Sequence, residues 1–183
     1  MKMEKSGNPP PDTNTRIINV THMEMDLGEM IVAATDKGIC MFEFTDYKLL
    51  ELEKKQLSAA FNAPLVQGES PHFETLKEQM RQYFEGKRKE FDIPLDLVGT
   101  DFQKRVWLSL LQIPYGRTTT YARQAALLGK PSAVRAVANA NGRNKVSIIL
   151  PCHRVIGTNG TLTGYGGGIR RKKMLLELER NFS

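Results

Sequence analysis

The chain is poor in the residues that build metal centres and disulfide frameworks. Its 183 residues include two cysteines, Cys40 and Cys152, and three histidines. So few cysteines exclude a secreted disulfide scaffold and point to a reducing compartment, the cytosol. Neither the cysteines nor the scattered His22, His72 and His153 have the spacing of a zinc site, so no metal is expected. No apolar run reaches the roughly 20 residues that cross a bilayer, which excludes a membrane span. The start, Met1-Lys2-Met3-Glu4-Lys5, leads into Pro9-Pro10-Pro11 and not into an apolar signal core. No Gly-Lys-Ser/Thr follows a glycine-rich stretch, which excludes a phosphate-cradling P-loop. Acids are scarce in the second half. Residues 99–183 hold 3 Asp+Glu against 14 Lys+Arg, a net +11, whereas residues 1–98 hold 17 against 12, a net −5. That asymmetry favours a polyanionic partner, nucleic acid first, over a merely soluble basic surface.

Residues 1–15 are polar and proline-rich and read as a flexible arm. Ile17–Val20, Met30–Ala34 and Gly38–Phe44 read as strands, the last two joined by a turn at Asp36-Lys37-Gly38. Cys40, inside the apolar run, reads as core filler. Leu49–Phe61 and Phe73–Phe84 read as helices, the second stopping at Gly86. Residues 16–90 thus form an N-terminal α/β domain, and residues 91–98, with Pro94, an extended linker. From Gly99 the composition shifts. Phe102, Val106, Leu110 and Leu111 make an apolar stripe on a helix ended by Pro114-Tyr115-Gly116, with Trp107 packed on its edge. The hydroxyls of Thr118-Thr119-Thr120 can cap a helix at 121–128. Gly129-Lys130 closes it, and Pro131 or Ser132 opens a second helix that stops at Gly142. Two short helices around such a turn form a helix-turn-helix candidate. Ser132, Arg135 and Asn139 recur on one outer face of the second helix among small residues, which permits close approach to a surface. A final helix spans 170–180, with Glu177 expected to neutralise its basic neighbours.

Val146–Leu150 is a β-branched apolar run that reads as a buried strand stopped by Pro151. Cys152 and His153 follow at its end, where a scaffold can present reactive groups. A lone Cys-His pair is more often inert core than chemistry. Against that, a cysteine nucleophile needs its thiolate, a histidine can take the proton directly or through water, and a C-terminal glutamate can orient the imidazole. Adjacent residues on an extended chain point apart, so direct Cys152–His153 contact would need a bend or a bridging water.

Pro151-Cys152-His153-Arg154-Val155 resembles the signature of the O6-alkylguanine-DNA alkyltransferases, the methylated-DNA–protein-cysteine methyltransferases. Gly99-Thr100-Asp101-Phe102-Gln103, Ile113-Pro114-Tyr115-Gly116, Thr120-Tyr121, Gly129-Lys130-Pro131, Ala133–Val137 and Asn144 match in the same order. The likeness covers nearly all of residues 99–180. The N-terminal half matches more loosely, in size and strand pattern. The resemblance implies an α+β fold: a ribonuclease-H-like α/β domain and, over residues 99–183, a mostly helical, winged-helix-like domain with a helix-turn-helix. It implies DNA repair by irreversible, single-turnover transfer of the alkyl group of O6-alkylguanine, and of O4-alkylthymine, to Cys152, with no cofactor. His153 would act through water as base, with Glu179 behind it, and Asn144 would brace the loop before the cysteine. Tyr121 would bond the base and push the phosphate, and Tyr165 would line the pocket. The backbones of Cys152, Val155 and Gly166 would read the guanine edge. Arg135 would fill the space left by the flipped nucleotide, and Ser132 and Asn139 would meet DNA. The helix would enter the minor groove of double-stranded DNA. A monomer in the cytoplasm is implied, on the nucleoid in a bacterium or in the nucleus of a eukaryote. Many relatives carry Ser where this chain has Gly166, which should leave the loop more mobile. The adaptive-response relatives have an extra N-terminal metal-binding module that is not found here, so transcriptional control is not expected.

Two other readings compete. One is a lesion-binding module without transfer chemistry, like the alkyltransferase-like proteins, which lack the acceptor cysteine. The other is a Cys-His-Glu hydrolase, for which no oxyanion hole is marked.

Overall fold

The computed structural model describes residues 16–183; the expected arm at 1–15 lies outside the described residues. The first half is built on β1 (Ile18–Met25), β2 (Gly28–Ala34), β3 (Ile39–Phe44) and β4 (Leu65–Gln67), in the order β3-β2-β1-β4. The first three are antiparallel, and β4 runs parallel to β1. Period-two alternation sends Met30, Val32 and Ala34 to one face, and Ile31 and Ala33 to the other. Ala33 pairs with Met41 and Ala34 with Ile39, so Cys40 is the extra residue of a bulge, buried in the core. Helix α1 (Leu50–Phe61) covers the second face through Leu50 and Leu57. Helix α2 (Pro71–Phe84) packs Phe73, Leu76, Met80 and Tyr83 on the first, starting from a Ser70 cap with proline at its first position. The sequence underestimates this half: β1 runs on to Met25 through a tight hairpin, and β4 carries only three residues.

After the extended linker, α3 (Asp101–Leu110) opens with a capping box between Thr100 and Gln103. Its apolar stripe differs from expectation. The helix ends at Leu110, leaving Leu111 55% exposed, while Trp107 turns fully inward and donates its indole N–H to Ala140 O at 2.7 Å. β5 (Thr119–Thr120) leads into α4 (Tyr121–Leu127), capped by Thr120. Helix α5 (Val134–Asn141) follows. Ser132 sits in the turn before α5 and does not cap it. Gln124 of α4 and Asn141 of α5 exchange a buried 2.7 Å bond that fixes the angle of the pair. A 3-10 turn at Cys152–Arg154, then β6 (Val155–Ile156), parallel to β5, and α6 (Ile169–Asn181) complete the chain. Among the described residues no helix is long and apolar enough to cross a membrane.

Residues 146–150 are buried, as expected, but they do not form a strand. A single bridge ties Val146 to Phe42, with Phe42 N–H on Lys145 O and Ser147 N–H on Phe42 O, both 2.8 Å. The segment then turns at Ile148, whose φ is +71°. That conformation costs a β-branched residue about 1–3 kcal/mol and persists only where surroundings enforce it. The edge strand of the N-terminal sheet therefore holds the approach to Cys152, and one apolar core runs through both halves.

Candidate active site and DNA-binding face

Asn144 organises the bend. Its Nδ2 donates to Leu150 O at 2.8 Å and to Cys152 Sγ at 3.3 Å, and its Oδ1 accepts from Val146 N–H at 3.0 Å. One amide thus staples both ends of the turn and touches the sulfur. Cys152 is 6% exposed, and burial pushes its thiol up to about 11, against the Asn144 bond and the charge of Lys172. The resting sulfur is a protonated thiol.

The 3-10 turn supplies the bend that an extended chain lacks. His153 is fully buried, with Nε2 2.7 Å from Glu179 Oε1. Burial holds the imidazole below its ordinary value, outweighing the upward pull of Glu179. A neutral ring whose Nε2–H faces a carboxylate leaves Nδ1 as the bare acceptor, and Nδ1 is buried with no protein partner. Glu179 also accepts from Tyr83 Oη–H at 2.7 Å, Arg154 Nε and Nη2 at 2.9 Å each, and Gly116 N–H at 3.1 Å. Burial raises its carboxyl, but the His153 and Arg154 bonds outweigh that and hold it near 2. Arg154 is anchored in turn on Ile113 O.

Tyr121 donates its hydroxyl to Thr163 O at 2.8 Å. Lys172, wholly buried, donates to Val155 O at 2.5 Å and Thr163 O at 2.7 Å, with the Tyr121 hydroxyl 3.5 Å away. Burial lowers its ammonium to about 8, opposed by Cys152. These bonds pin the loop that brings Tyr165 to the site, its ring edge-on to His153 at 6.4 Å. Gly164 has φ +71°, and a Cβ there would lie 2.9 Å from the Tyr121 hydroxyl, so any side chain at this position would be strained and would displace that hydroxyl. A Cβ on Gly166 would lie 3.2 Å from the Tyr47 ring, whose hydroxyl bonds Gly142 O at 3.1 Å. The glycine seats a tyrosine from the N-terminal half.

A cavity of about 1000 Å³ opens between α5 and this loop, walled by Ala136, Asn139, Gly142, Arg143, Tyr165 and Gly166. Arg135 and Asn139 are exposed on α5, and Ser132 is exposed in the turn before it. Gly142, on the cavity wall, stands two residues before Asn144, whose amide bonds the buried Cys152 sulfur. The structure thus gathers Cys152, His153, Glu179 and Asn144 in one buried cluster. It sets Tyr121, Val155, Tyr165 and Gly166 around the loop, and Ser132, Arg135 and Asn139 on the outer face. Sequence reasoning missed Tyr83, Lys172 and the Arg154 bonds. Arg154 stood inside the motif; nothing local marked Lys172. Glu177 pairs loosely with Lys173 at 3.8 Å on the surface. Among the described residues no group of His, Cys, Asp and Glu could hold a metal.

Two family models match: "6-O-methylguanine DNA methyltransferase, ribonuclease-like domain" over residues 18–97 and "6-O-methylguanine DNA methyltransferase, DNA binding domain" over residues 101–181. A methylated-DNA–protein-cysteine methyltransferase of Mycobacterium tuberculosis is 60% identical over 104 residues, 57% of this chain and 63% of that protein's length. One from Methanosarcina barkeri is 42% identical over 87% of this chain and 95% of its own. The crystal structure of Mycobacterium tuberculosis OGT in complex with DNA superposes with a TM-score of 0.77 at 40% identity, covering 90% of this chain and 94% of that one.

Proposed function

Because this chain belongs to the 6-O-methylguanine DNA methyltransferase family, we propose that it repairs DNA by taking the alkyl group of O6-alkylguanine, or of O4-alkylthymine, onto Cys152 in one irreversible turnover. The observation that carries this is the sulfur bonded by Asn144, with the His153–Glu179 pair in the same buried cluster and the Tyr165 loop of that cluster walling a cavity against α5. Residues 16–90 act as the supporting domain, 91–98 as linker and 99–183 as the DNA-binding and transfer domain.

The chemistry follows from the charges. The thiol proton passes through a water to His153 Nδ1, and Glu179 stabilises the imidazolium. The sulfur attacks the alkyl carbon, so the S–C bond forms as the C–O6 bond breaks. The electron pair goes to the guanine, which takes up a proton on leaving. The thioether is stable, so the protein is consumed. O6 is buried in a duplex, so the nucleotide is flipped out at about a few kcal/mol. Arg135 fills the gap while the small residues of α5 lie in the minor groove. Ser132 and Asn139 meet the DNA, and phosphate contacts supply most of the affinity. Tyr121 and Tyr165 frame the base, and the backbones of Cys152, Val155 and Gly166 read its edge. One chain holds every group named, so a monomer acts. A reducing compartment that contains DNA, the cytoplasm with its nucleoid or a nucleus, suits a free thiol.

Titration of the protein with duplex bearing O6-methylguanine tests this. Repaired guanine should plateau at one per protein. Continued turnover, or binding with no repair, would contradict the proposal and would favour, respectively, a hydrolase or a lesion-binding module.

A further inference from the structure

Glu43 lies in the middle of β3, a strand whose six residues are all buried. A carboxyl in such a place is costly unless both oxygens are bonded. Oε1 accepts from Phe44 N–H and Oε2 from the Ser147 hydroxyl, each at 2.8 Å. Ser147 belongs to the stapled segment that delivers Cys152. A side chain from the N-terminal sheet therefore grips the loop of the nucleophile across 104 positions of sequence. Beside them the Tyr165 hydroxyl is buried without a partner.

We propose that Glu43 is a positioning residue for alkyl transfer: it holds Ser147 and the segment presenting Cys152, and a negative charge on it opposes formation of the Cys152 thiolate. The role rests on the alkyl-transfer reading above and adds a group that the transfer chemistry does not itself use.

Several facing groups act on this carboxyl. Burial pushes it up to about 8, against the Phe44 and Ser147 bonds; Glu53 of α1 raises it further and Arg171 of α6 lowers it. Near neutrality it is mostly protonated. Its charge, once present, acts on Cys152, Tyr47 and Tyr165 alike. Two negative charges in one desolvated site disfavour each other, so carboxyl and thiol titrate as a coupled pair.

The test is the pH profile of single-turnover transfer at saturating O6-methylguanine duplex, for wild type and Glu43→Gln. Gln is isosteric, keeps an acceptor for Phe44 N–H, offers an amide N–H that the Ser147 hydroxyl can accept by rotating, and cannot ionise. The variant should match wild type below neutrality and exceed it several-fold above pH 8, where the wild-type profile flattens. Ser147→Ala, which removes one bond to the carboxylate, should move the flattening to higher pH and stands in if Glu43→Gln does not fold. Alkylation of Cys152 by iodoacetamide without DNA, read by peptide mass, should show the same contrast. Parallel wild-type and Glu43→Gln profiles would overturn the role of Glu43 while leaving transfer intact. Absence of transfer in wild type, with iodoacetamide contrast retained, would instead overturn the repair reading.

Discussion

Glu179 is bonded by four partners from three regions of the chain: Tyr83 of α2, Gly116 of the loop after α3, and His153 and Arg154 of the 3-10 turn. Its charge serves the imidazole and also balances the buried Arg154. Glu179→Gln leaves that guanidinium buried without its counter-charge, which costs about 3–5 kcal/mol. Urea unfolding should show a loss of that order, and transfer by the remaining folded protein should slow by about 10²–10⁴-fold as base assistance fails. The same carboxyl sets an acid limit. Its folded value, near 2, lies below its ordinary 4.5. The stabilisation is therefore present above pH 4.5 and is lost as pH falls toward 2. Glu43 has the opposite sign: raised to about 8, it favours the fold at low pH and costs stability as pH rises from 4.5 through 8. Thermal melts should accordingly show Glu43→Gln more stable than wild type above neutrality, with the two converging near pH 4.

In the proposed function, helix α5 and the segment after it divide recognition from chemistry. Arg135 is exposed, while Asn144, three residues past the helix, is buried against the sulfur. Arg135→Ala should slow repair of duplex far more than reaction with free O6-alkylguanine, because only the duplex requires flipping; equal losses in the two assays would count against the flipping role. Asn144→Ala should slow both, since it loosens the turn itself. The helices were legible because their signals are local: the apolar stripe of α3, the Thr120 cap, the Gly142 stop, the small-residue face. Residues 146–150 misled because β-branched apolar runs look alike whether they pair as strands or coil within a core. What decides here is the bonding of their backbone by Phe42 and the Asn144 side chain, which no local pattern encodes.

The two halves share one core, and the N-terminal sheet domain braces the site. Tyr83 reaches Glu179 across 96 positions, Tyr47 reaches Gly142 across 95, and Glu43 reaches Ser147 across 104. Sequence reasoning assigned no chemistry to this half because each contact joins residues with no mutual spacing rule. A charged residue inside an otherwise apolar strand was the one visible sign, at Glu43. The charge asymmetry, by contrast, was plain in composition, and it makes a further prediction. DNA affinity should fall steeply and log-linearly with salt, as measured by fluorescence anisotropy. The account rests on Cys152 as acceptor, and peptide mass after reaction with duplex O6-methylguanine tests that most directly. We predict that the tryptic peptide of residues 146–154 gains one methyl in place of a hydrogen and that the Cys40 peptide does not. Cys152→Ala should bind the same duplex unmodified. A methyl found elsewhere, or transfer persisting in Cys152→Ala, would contradict the account.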